Sequence, residues 1–159
     1  MKPRFFTGIL LLPLLVLLLN SCNNGSDCPI ENVAYARYGF YNASGASVAY
    51  SDTLSVYLMV NGHDSIILNH STATSSLTLP VSYTRRVDTL IFLYSGIYID
   101  SLYLYHTNIP YFVSMDCGTA MYHNIEKVTS THIFIDSIHV TEPFINYDER
   151  ENIKIYFGN

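Results

Sequence analysis

From Val33 to the end of the chain, apolar and polar residues alternate with a period of two. Within residues 53–60 an aliphatic side chain occupies every second position. The last stretch, Asn152–Phe157, repeats the pattern with Ile153, Ile155 and Phe157 on one side. Because successive side chains of a strand point to opposite faces, this alternation is typical of half-buried β-strands. No part of the chain after the N-terminal apolar run shows the 3.6-residue repeat of an amphipathic helix.

The alternation predicts nine strands, at residues 33–41, 53–60, 65–69, 76–81, 89–94, 101–107, 121–129, 133–141 and 152–157. Asn61-Gly62 and Ser95-Gly96 supply the residues that tight hairpin turns need. The abundance of Tyr, Val, Ile and Thr suits a pleated, partly buried surface. We therefore expect an all-β fold, an antiparallel β-sandwich of about eight or nine strands, in preference to a closed barrel.

The N-terminus does not follow this pattern. Lys2 and Arg4 precede Phe5–Leu19, an apolar run without a charge. As a helix this run would span about 22 Å, short of the roughly 30 Å hydrocarbon core of a bilayer. A positive start followed by a short apolar run is typical of a signal peptide rather than of a permanent membrane anchor.

Leu19-Asn20-Ser21-Cys22 follows the apolar run and resembles the lipobox of bacterial lipoproteins. The resemblance implies that residues 1–21 are a lipoprotein signal peptide and that Cys22 becomes the lipidated first residue of the mature chain. Two or more acyl chains on this residue would give firm membrane anchoring. The alternative is an ordinary secreted protein with a cysteine at this place by coincidence.

Cys28 and Cys117 are the two cysteines that remain. An exported chain reaches an oxidising compartment, and two cysteines allow one intramolecular pairing, so a structural disulfide is predicted. A redox-active or metal-binding pair is the alternative, but the chain has no Cys-x-x-Cys and no histidine within five residues of either cysteine. Residues 22–27 would then form a short tether of at most about 20 Å, with residues 28–159 as a single β-sandwich domain.

One tripeptide, Asp followed by Ser or Thr and then an aliphatic residue, accounts for five of the eight aspartates, at spacings that are multiples of twelve residues. Its copies begin at Asp52, Asp64, Asp88, Asp100 and Asp136. One interpretation is structural: Asp closes a turn by local hydrogen bonds, and a strand begins at the next residue.

The same tripeptide resembles the acceptor motif for O-glycosylation of exported proteins in Bacteroidota. This resemblance implies a glycan on one or more of the hydroxyl residues that follow the aspartates. These residues are Thr53, Ser65, Thr89, Ser101 and Ser137. We expect Ser65 to be the most exposed of them, because it follows the Asn61-Gly62 turn.

Several short motifs together resemble a domain-of-unknown-function family of small outer-membrane lipoproteins of Bacteroidota. They are the cysteine soon after the lipidated one, Gly39-Phe40-Tyr41 at the end of the first strand, the Asp-Thr-Leu strand starts, Asp116-Cys117-Gly118 and the closing stretch 151–157. The resemblance implies a β-sandwich lipoprotein and supports the Cys28–Cys117 pairing. It implies no activity.

Signs of chemistry are scarce. Charged residues make up 13% of the chain and the formal net charge is −5, which argues against a nucleic-acid partner. The six histidines form no closely spaced ligand motif and are interpreted as scattered, solvent-facing side chains. No nucleophile elbow, phosphate-binding loop or dinucleotide glycine pattern occurs. We therefore expect no catalytic residues, metal or cofactor. The acidic stretch 148–151 is interpreted as a solvated turn before the last strand.

Four tyrosines, Tyr57, Tyr103, Tyr105 and Tyr156, fall on faces opposite the aliphatic positions. An exposed tyrosine row could bind a glycan or a peptide. Alternatively, these rings cover a partly buried second face or pair across strands.

The sequence favours a lipid-anchored, non-enzymatic accessory protein of the outer membrane that faces the periplasm and binds an unidentified protein partner. Asp27 is the sole acidic residue between Cys22 and Cys28, whereas surface-exported Bacteroidota lipoproteins usually carry an acid-rich stretch there. A surface-exposed glycan- or peptide-binding lipoprotein and a hydrolase are the alternatives.

Overall fold

The computed structural model describes residues 33–158 and contains ten strands in this range. They are β1 (Tyr35–Asn42), β2 (Leu54–Val60), β3 (His63–Ser71), β4 (Ser76–Pro80), β5 (Val87–Tyr94), β6 (Tyr98–Ser114), β7 (Gly118–Ser130), β8 (Ile135–Val140), β9 (Phe144–Ile145) and β10 (Ile153–Phe157). The all-β prediction is confirmed. No helix able to cross a membrane occurs within these residues. The predicted signal peptide, Cys22, the tether and Cys28 lie outside them.

The strands form two sheets. The larger has the order β3-β2-β5-β6-β7-β9, and the smaller has the order β4-β1-β10-β8. All neighbouring pairs are antiparallel except β1 and β10, which run parallel with Tyr38 opposite Ile153 and Asn42 opposite Phe157. The expectation of a purely antiparallel sandwich is therefore wrong at this pair. No hairpin turn connects β1 and β10, because the chain passes through the other sheet between them. Without a hairpin to impose antiparallel pairing, the two strands can pair in either direction.

The seam between β1 and β10 is held by Asn152, which is buried just before β10. Its backbone N–H donates to the carbonyl of Arg37, and its side-chain oxygen accepts from the Arg37 N–H, each at 3.0 Å. The Asn152 amide group also donates to the carbonyl of Glu142 at 3.0 Å. The backbone and side chain of this one residue thus connect the first described strand to the last.

Alternate residues from both sheets meet in one hydrophobic core. The larger sheet contributes Leu54, Val56, Leu90, Phe92, Tyr94, Leu102, Leu104, Ile125 and Ile145, and the smaller contributes Ala36, Tyr38, Phe40, Leu77, Leu79, Ile135, Ile153, Ile155 and Phe157. The predicted faces are confirmed at Leu54 and Val56 and at Ile153, Ile155 and Phe157, whereas Leu58 and Val60 are only half-buried. Their burial is the main stabilising contribution to a fold of this kind.

Two hairpins turn at the predicted dipeptides. Asn61 and Gly62 have φ of 52° and 79°, and Ser95 and Gly96 have φ of 51° and 69°. Two consecutive residues with positive φ match the right-handed twist of the flanking strands, which is why Asn and Gly are favoured there.

All nine predicted strands are present, and the tenth, β9, is a two-residue strand beside β7. The larger difference is the β6–β7 hairpin. The predicted strands stop at residue 107 and resume at 121, whereas β6 runs to Ser114 and β7 begins at Gly118. Pro110 lies in the added part, and proline is confined to strands with a neighbour on one side only. Beyond Tyr105, β6 pairs with β7 alone.

Candidate functional site

Two buried aspartates lie on neighbouring strands of the larger sheet, Asp88 on β5 and Asp100 on β6. Both begin a copy of the recurring tripeptide. The turn interpretation is wrong for Asp100, which lies inside β6 and binds a loop more than thirty residues away. Asp88 accepts from the Ser82 N–H of the preceding loop, as that interpretation expects, but it lies inside β5 and not before it. Asp64 and Asp136 also lie inside strands, although exposed, and only Asp52 precedes one.

The carboxylate of Asp100 binds the loop between β7 and β8. One oxygen accepts from the Thr131 hydroxyl at 2.6 Å and from the Ile133 N–H at 2.8 Å. The other accepts from the N–H groups of Phe134 at 2.7 Å and Ile135 at 2.9 Å. Burial alone would raise the pKa of Asp100, but these hydrogen bonds to the charged form outweigh it and hold the pKa below its ordinary value.

Aromatic rings close the core beside this loop. The Phe134 ring lies 4.6 Å from that of Tyr94, 5.6 Å from that of Phe157 and 5.7 Å from that of Tyr50. Tilted and edge-to-face arrangements at such distances are favourable ring contacts. We call the loop between β7 and β8 the Asp100 loop. Its backbone is held by the Asp100 carboxylate, and the Phe134 ring packs into the core.

Asp88 lies in a different environment at the other end of the core. Arg85 donates from Nε and Nη2 to Asp88 Oδ1, at 3.2 and 2.9 Å. The Ser82 N–H donates to Oδ2 at 2.8 Å, and His106 Nε2 faces the same oxygen at 3.4 Å. Burial raises the pKa of Asp88, but the contacts with His106, Ser82 and Arg85 together lower it below its ordinary value.

Asn108 connects two buried histidines next to Asp88. Its side-chain oxygen lies 2.9 Å from His106 Nδ1 and 2.8 Å from His123 Nδ1, and its amide group donates to the Arg85 carbonyl at 2.9 Å. An amide oxygen only accepts, so both Nδ1–H groups donate to it. We call Asp88, His106, Asn108 and His123 the histidine cluster.

Burial, and then the neighbouring His106, lower the pKa of His123 to about 4, against a smaller opposing effect of Asp88. His123 is therefore neutral near pH 7. Its Nε2 has no hydrogen-bond partner among the described residues. An unpartnered buried nitrogen of this kind makes a charged ring expensive.

The expectation that all six histidines face solvent is wrong for His106 and His123, which are 0% exposed with ring centroids 5.1 Å apart. The alternation of apolar and polar residues could have predicted this burial. His106 follows Leu102 and Leu104 in steps of two, and His123 lies opposite Asn108 in the ladder. The other four histidines are exposed. No group of three potential metal ligands occurs among residues 33–158.

Beyond the histidine cluster, the β6–β7 hairpin continues as two strands. Four large apolar side chains on it are exposed: Ile109 by 37%, Tyr111 by 45%, Phe112 by 60% and Met115 by 89%. We call these four the hairpin patch.

Cys117 lies in the turn at the end of this hairpin. It is disulfide-bonded, and it is the only cysteine among residues 33–158. Cys28 lies outside the described residues, and the Cys28–Cys117 pairing stays a prediction.

A second group of exposed apolar side chains lies at the opposite end of β6, around the β5–β6 turn and the Asp100 loop. It consists of Ile97, Tyr98, Ile99 and Ile133, which are exposed by 73%, 50%, 51% and 63%. We call it the turn patch. The Tyr98 ring stacks on Phe134 at 5.9 Å, which joins the turn patch to the fixed loop.

The four tyrosines singled out in the sequence do not form one row. Tyr57, Tyr103 and Tyr105 share the outer face of the larger sheet, where they are half-buried. Tyr156 belongs to the smaller sheet and packs against Tyr41 and His139, at ring distances of 5.5 and 5.3 Å. Their partly buried, cross-strand interpretation fits this placement better than a continuous binding row.

Ser65 is exposed on the edge strand β3, and the other four acceptor candidates are half-buried. The expectation that Ser65 is the most exposed of the five is confirmed. Glycosylation at any of them stays a prediction. A separate open groove of about 390 Å³ is lined by Val33, Tyr83, Thr119 and Met121.

The model of a family described as a family of unknown function, DUF6452, matches residues 53–157, a range that contains both buried aspartates, the histidine cluster and both patches. No curated protein and no solved structure matches the chain significantly.

Proposed function

The chain belongs to the DUF6452 family, whose function is unknown, and from this premise we propose that it is a lipid-anchored, non-enzymatic accessory protein that binds a protein partner. In this proposal Cys22 carries the lipid, and residues 1–21 are removed as a lipoprotein signal peptide. The protein is held in the outer membrane of a member of the Bacteroidota and faces the periplasm. The resemblance to the lipobox and to small lipoproteins of that group supports these points.

The turn patch is the observation that carries the proposal. Single exposed apolar residues are ordinary on a protein surface, but a group of them indicates an interaction site. The turn patch includes no charged side chain, and Asp100 holds its loop rigid through four hydrogen bonds. A preformed apolar surface binds a protein partner without first having to order a loop.

The burial of the histidine cluster supports a non-enzymatic role. Asp88, His106 and His123 are at most 2% exposed. A catalytic acid or base must come within hydrogen-bond reach of its substrate, and these side chains contact only one another and the surrounding protein. The hydrogen bonds of the histidine cluster stabilise this end of the core.

The open groove beside Tyr83 favours a second candidate, a surface-exposed lipoprotein that binds a glycan or a peptide. The groove has one tyrosine for stacking. Protease treatment of intact cells separates the two candidates, because only a surface-exposed protein is cleaved before the cells are lysed.

The proposed function is tested in the native host by placing a photo-crosslinking residue at Ile97, with the same residue at Asp64 as control. Both positions are exposed, but Asp64 lies on a polar part of the edge strand β3. We expect a discrete cross-linked protein from position 97 and none from position 64.

The same experiment is repeated with Cys22→Ala. This variant should lose fatty-acid labelling and should no longer fractionate with membranes, while Cys28→Ala keeps its label. A lipidated protein without a position-97 cross-link contradicts partner binding. A Cys22→Ala variant that is still labelled contradicts the anchor.

A further inference from the structure

We propose that the hairpin patch inserts into the interfacial layer of a zwitterionic lipid membrane, so that the domain contacts the bilayer at the tip of the β6–β7 hairpin as well as through its lipid. This inference rests on the proposed anchoring at Cys22. It assigns the two apolar surfaces to different partners: lipid at the hairpin patch and protein at the turn patch.

The first argument is the composition of the hairpin. Between residues 107 and 123 the only charged residue is Asp116. The side chains of Met115 and Phe112 are exposed by 89% and 60% at its tip. Such a tip gains from leaving water, because transfer of apolar surface out of water is favourable. The hairpin therefore has the character of a segment that enters an apolar layer.

The second argument is the disulfide at the tip. The chain has three cysteines, and the two besides Cys117, Cys22 and Cys28, both precede the described residues. With Cys22 acylated, Cys28 is left to bond Cys117. Six residue steps reach at most about 20 Å, and the Cα atoms of a disulfide lie about 6 Å apart. The hairpin turn is therefore held within about 26 Å of the lipid attachment point.

The length of β6 separates the two patches. This strand has 17 residues, and at about 3.3 Å per residue its ends lie roughly 55 Å apart. The turn patch at its start is thus too far from Cys117 to be restrained near the lipid by the same tether. The tether selects the hairpin patch as the membrane-facing one.

The third argument is the kind of side chain at the hairpin. The Tyr111 and Tyr122 rings stack at 4.8 Å, and Tyr147 lies 5.3 Å from Tyr122. Tyrosine is enriched where membrane meets water, because its ring is apolar and its hydroxyl is polar. The absence of Lys and Arg from residues 107–123 removes the attraction to anionic headgroups. Zwitterionic lipids are therefore the matching surface.

The chain contains no Trp, so a single introduced Trp reports on its own surroundings. We would make Phe112→Trp in the hairpin patch and Tyr98→Trp in the turn patch, which are matched because both native rings are at least half exposed. The lipidated full chain is reconstituted into vesicles of phosphatidylcholine and phosphatidylethanolamine, with or without brominated acyl chains. We expect blue-shifted emission and quenching by the brominated lipid for Phe112→Trp, and neither effect for Tyr98→Trp.

The outcomes distinguish this inference from the proposed anchoring. If the protein floats with the vesicles but Phe112→Trp is quenched no more than Tyr98→Trp, the hairpin contact is wrong and the anchor stands. If the chain carries no lipid and does not float, both are wrong. A blue shift of Phe112→Trp that grows with protein concentration and needs no vesicles identifies a second copy as the occupant and overturns the lipid contact. Met115→Trp gives the same readout if Phe112→Trp does not fold.

Discussion

Asp100 and Asp88 start from the same tripeptide, occupy the core faces of adjacent strands and are equally buried, yet they stabilise the two ends of the sandwich differently. Asp100 accepts from three backbone N–H groups and one hydroxyl, donors that keep their protons at any ordinary pH. Asp88 accepts from the Arg85 side chain and the Ser82 N–H, and it lies beside His106, which Asn108 links to His123. The groups around each carboxylate, and not the sequence motif, decide whether an end of the core responds to pH.

Replacing Asp100 with Asn should have the largest effect. An amide has one acceptor oxygen where the carboxylate has two, so its NH2 group would face backbone N–H donors of the loop. We expect Asp100→Asn to lower the free energy of unfolding by about 3–5 kcal/mol, because buried donors are left unpartnered. Urea unfolding at pH 7 measures this.

Asp136→Asn is the matched control for Asp100→Asn. Asp136 starts another copy of the tripeptide but is exposed, and a surface change of this kind should stay within about 0.5 kcal/mol. Equal losses in the two variants would show that burial of Asp100 is irrelevant to stability.

Mild acid should weaken the Asp88 end before the Asp100 end. His123 has an ordinary pKa of 6.5 when unfolded and a pKa of about 4 in the fold. Between these values the unfolded chain binds more protons, so the free energy of unfolding falls as the pH falls through this window. A shift of this size corresponds to about 3 kcal/mol over the whole window.

Asp100 titrates in a different window. Its pKa is held below the ordinary 3.8, so its stabilisation is complete above that value and is lost only as the pH falls further. Urea unfolding between pH 7 and pH 4.5 should therefore report His123. His123→Gln should flatten this dependence, and His132→Gln, at an exposed position, should leave it unchanged. A wild-type protein with constant stability over this range would contradict the assignment.

The smallest effect is expected from Arg85→Lys. Lysine keeps the charge but cannot donate twice to Asp88 Oδ1 from a planar group while also donating to the Met59 carbonyl, as Arg85 does. We expect a loss of about 1 kcal/mol in the free energy of unfolding. Arg86→Lys, at the exposed neighbour, serves as the control and should change it by less than about 0.5 kcal/mol. A loss as large as that of Asp100→Asn would remove the difference between the two ends.

The strands were predictable from sequence because their signal is local. The buried face of β5 can be read from five consecutive residues, since Leu90, Phe92 and Tyr94 alternate with outward-facing positions. The Asn61-Gly62 dipeptide is sufficient to predict the turn between β2 and β3. The same frame also places Asp88 and His106 on the core face. The sequence nevertheless favoured a turn for the aspartates and solvent for the histidines, because it does not show the hydrogen-bond partners of these side chains. The loop amides bound by Asp100, for example, lie more than thirty residues away.

The full length of the β6–β7 hairpin was not predictable for a different reason. Pro110 and Asn108 interrupt the pattern expected of a central strand. A polar Asn108 inside β6 is explained only by its hydrogen-bonded neighbour His123, which lies opposite it in the ladder. A polar side chain can be accommodated inside a strand when a residue on the neighbouring strand supplies its hydrogen-bond partner. The prediction therefore ended β6 at Thr107, before the part that carries the hairpin patch.

The parallel pairing of β1 with β10 has a consequence for how the chain reaches its native state. Arg37 cannot bond Asn152 until more than a hundred intervening residues are available, so most of the polypeptide has to be made before the smaller sheet can close. Contacts of such high sequence separation slow folding. Until then β1 has β4 on one side and an open edge on the other, where unpaired backbone groups invite association with other chains. We expect chains that stop before β10 to aggregate rather than to fold into a smaller sandwich.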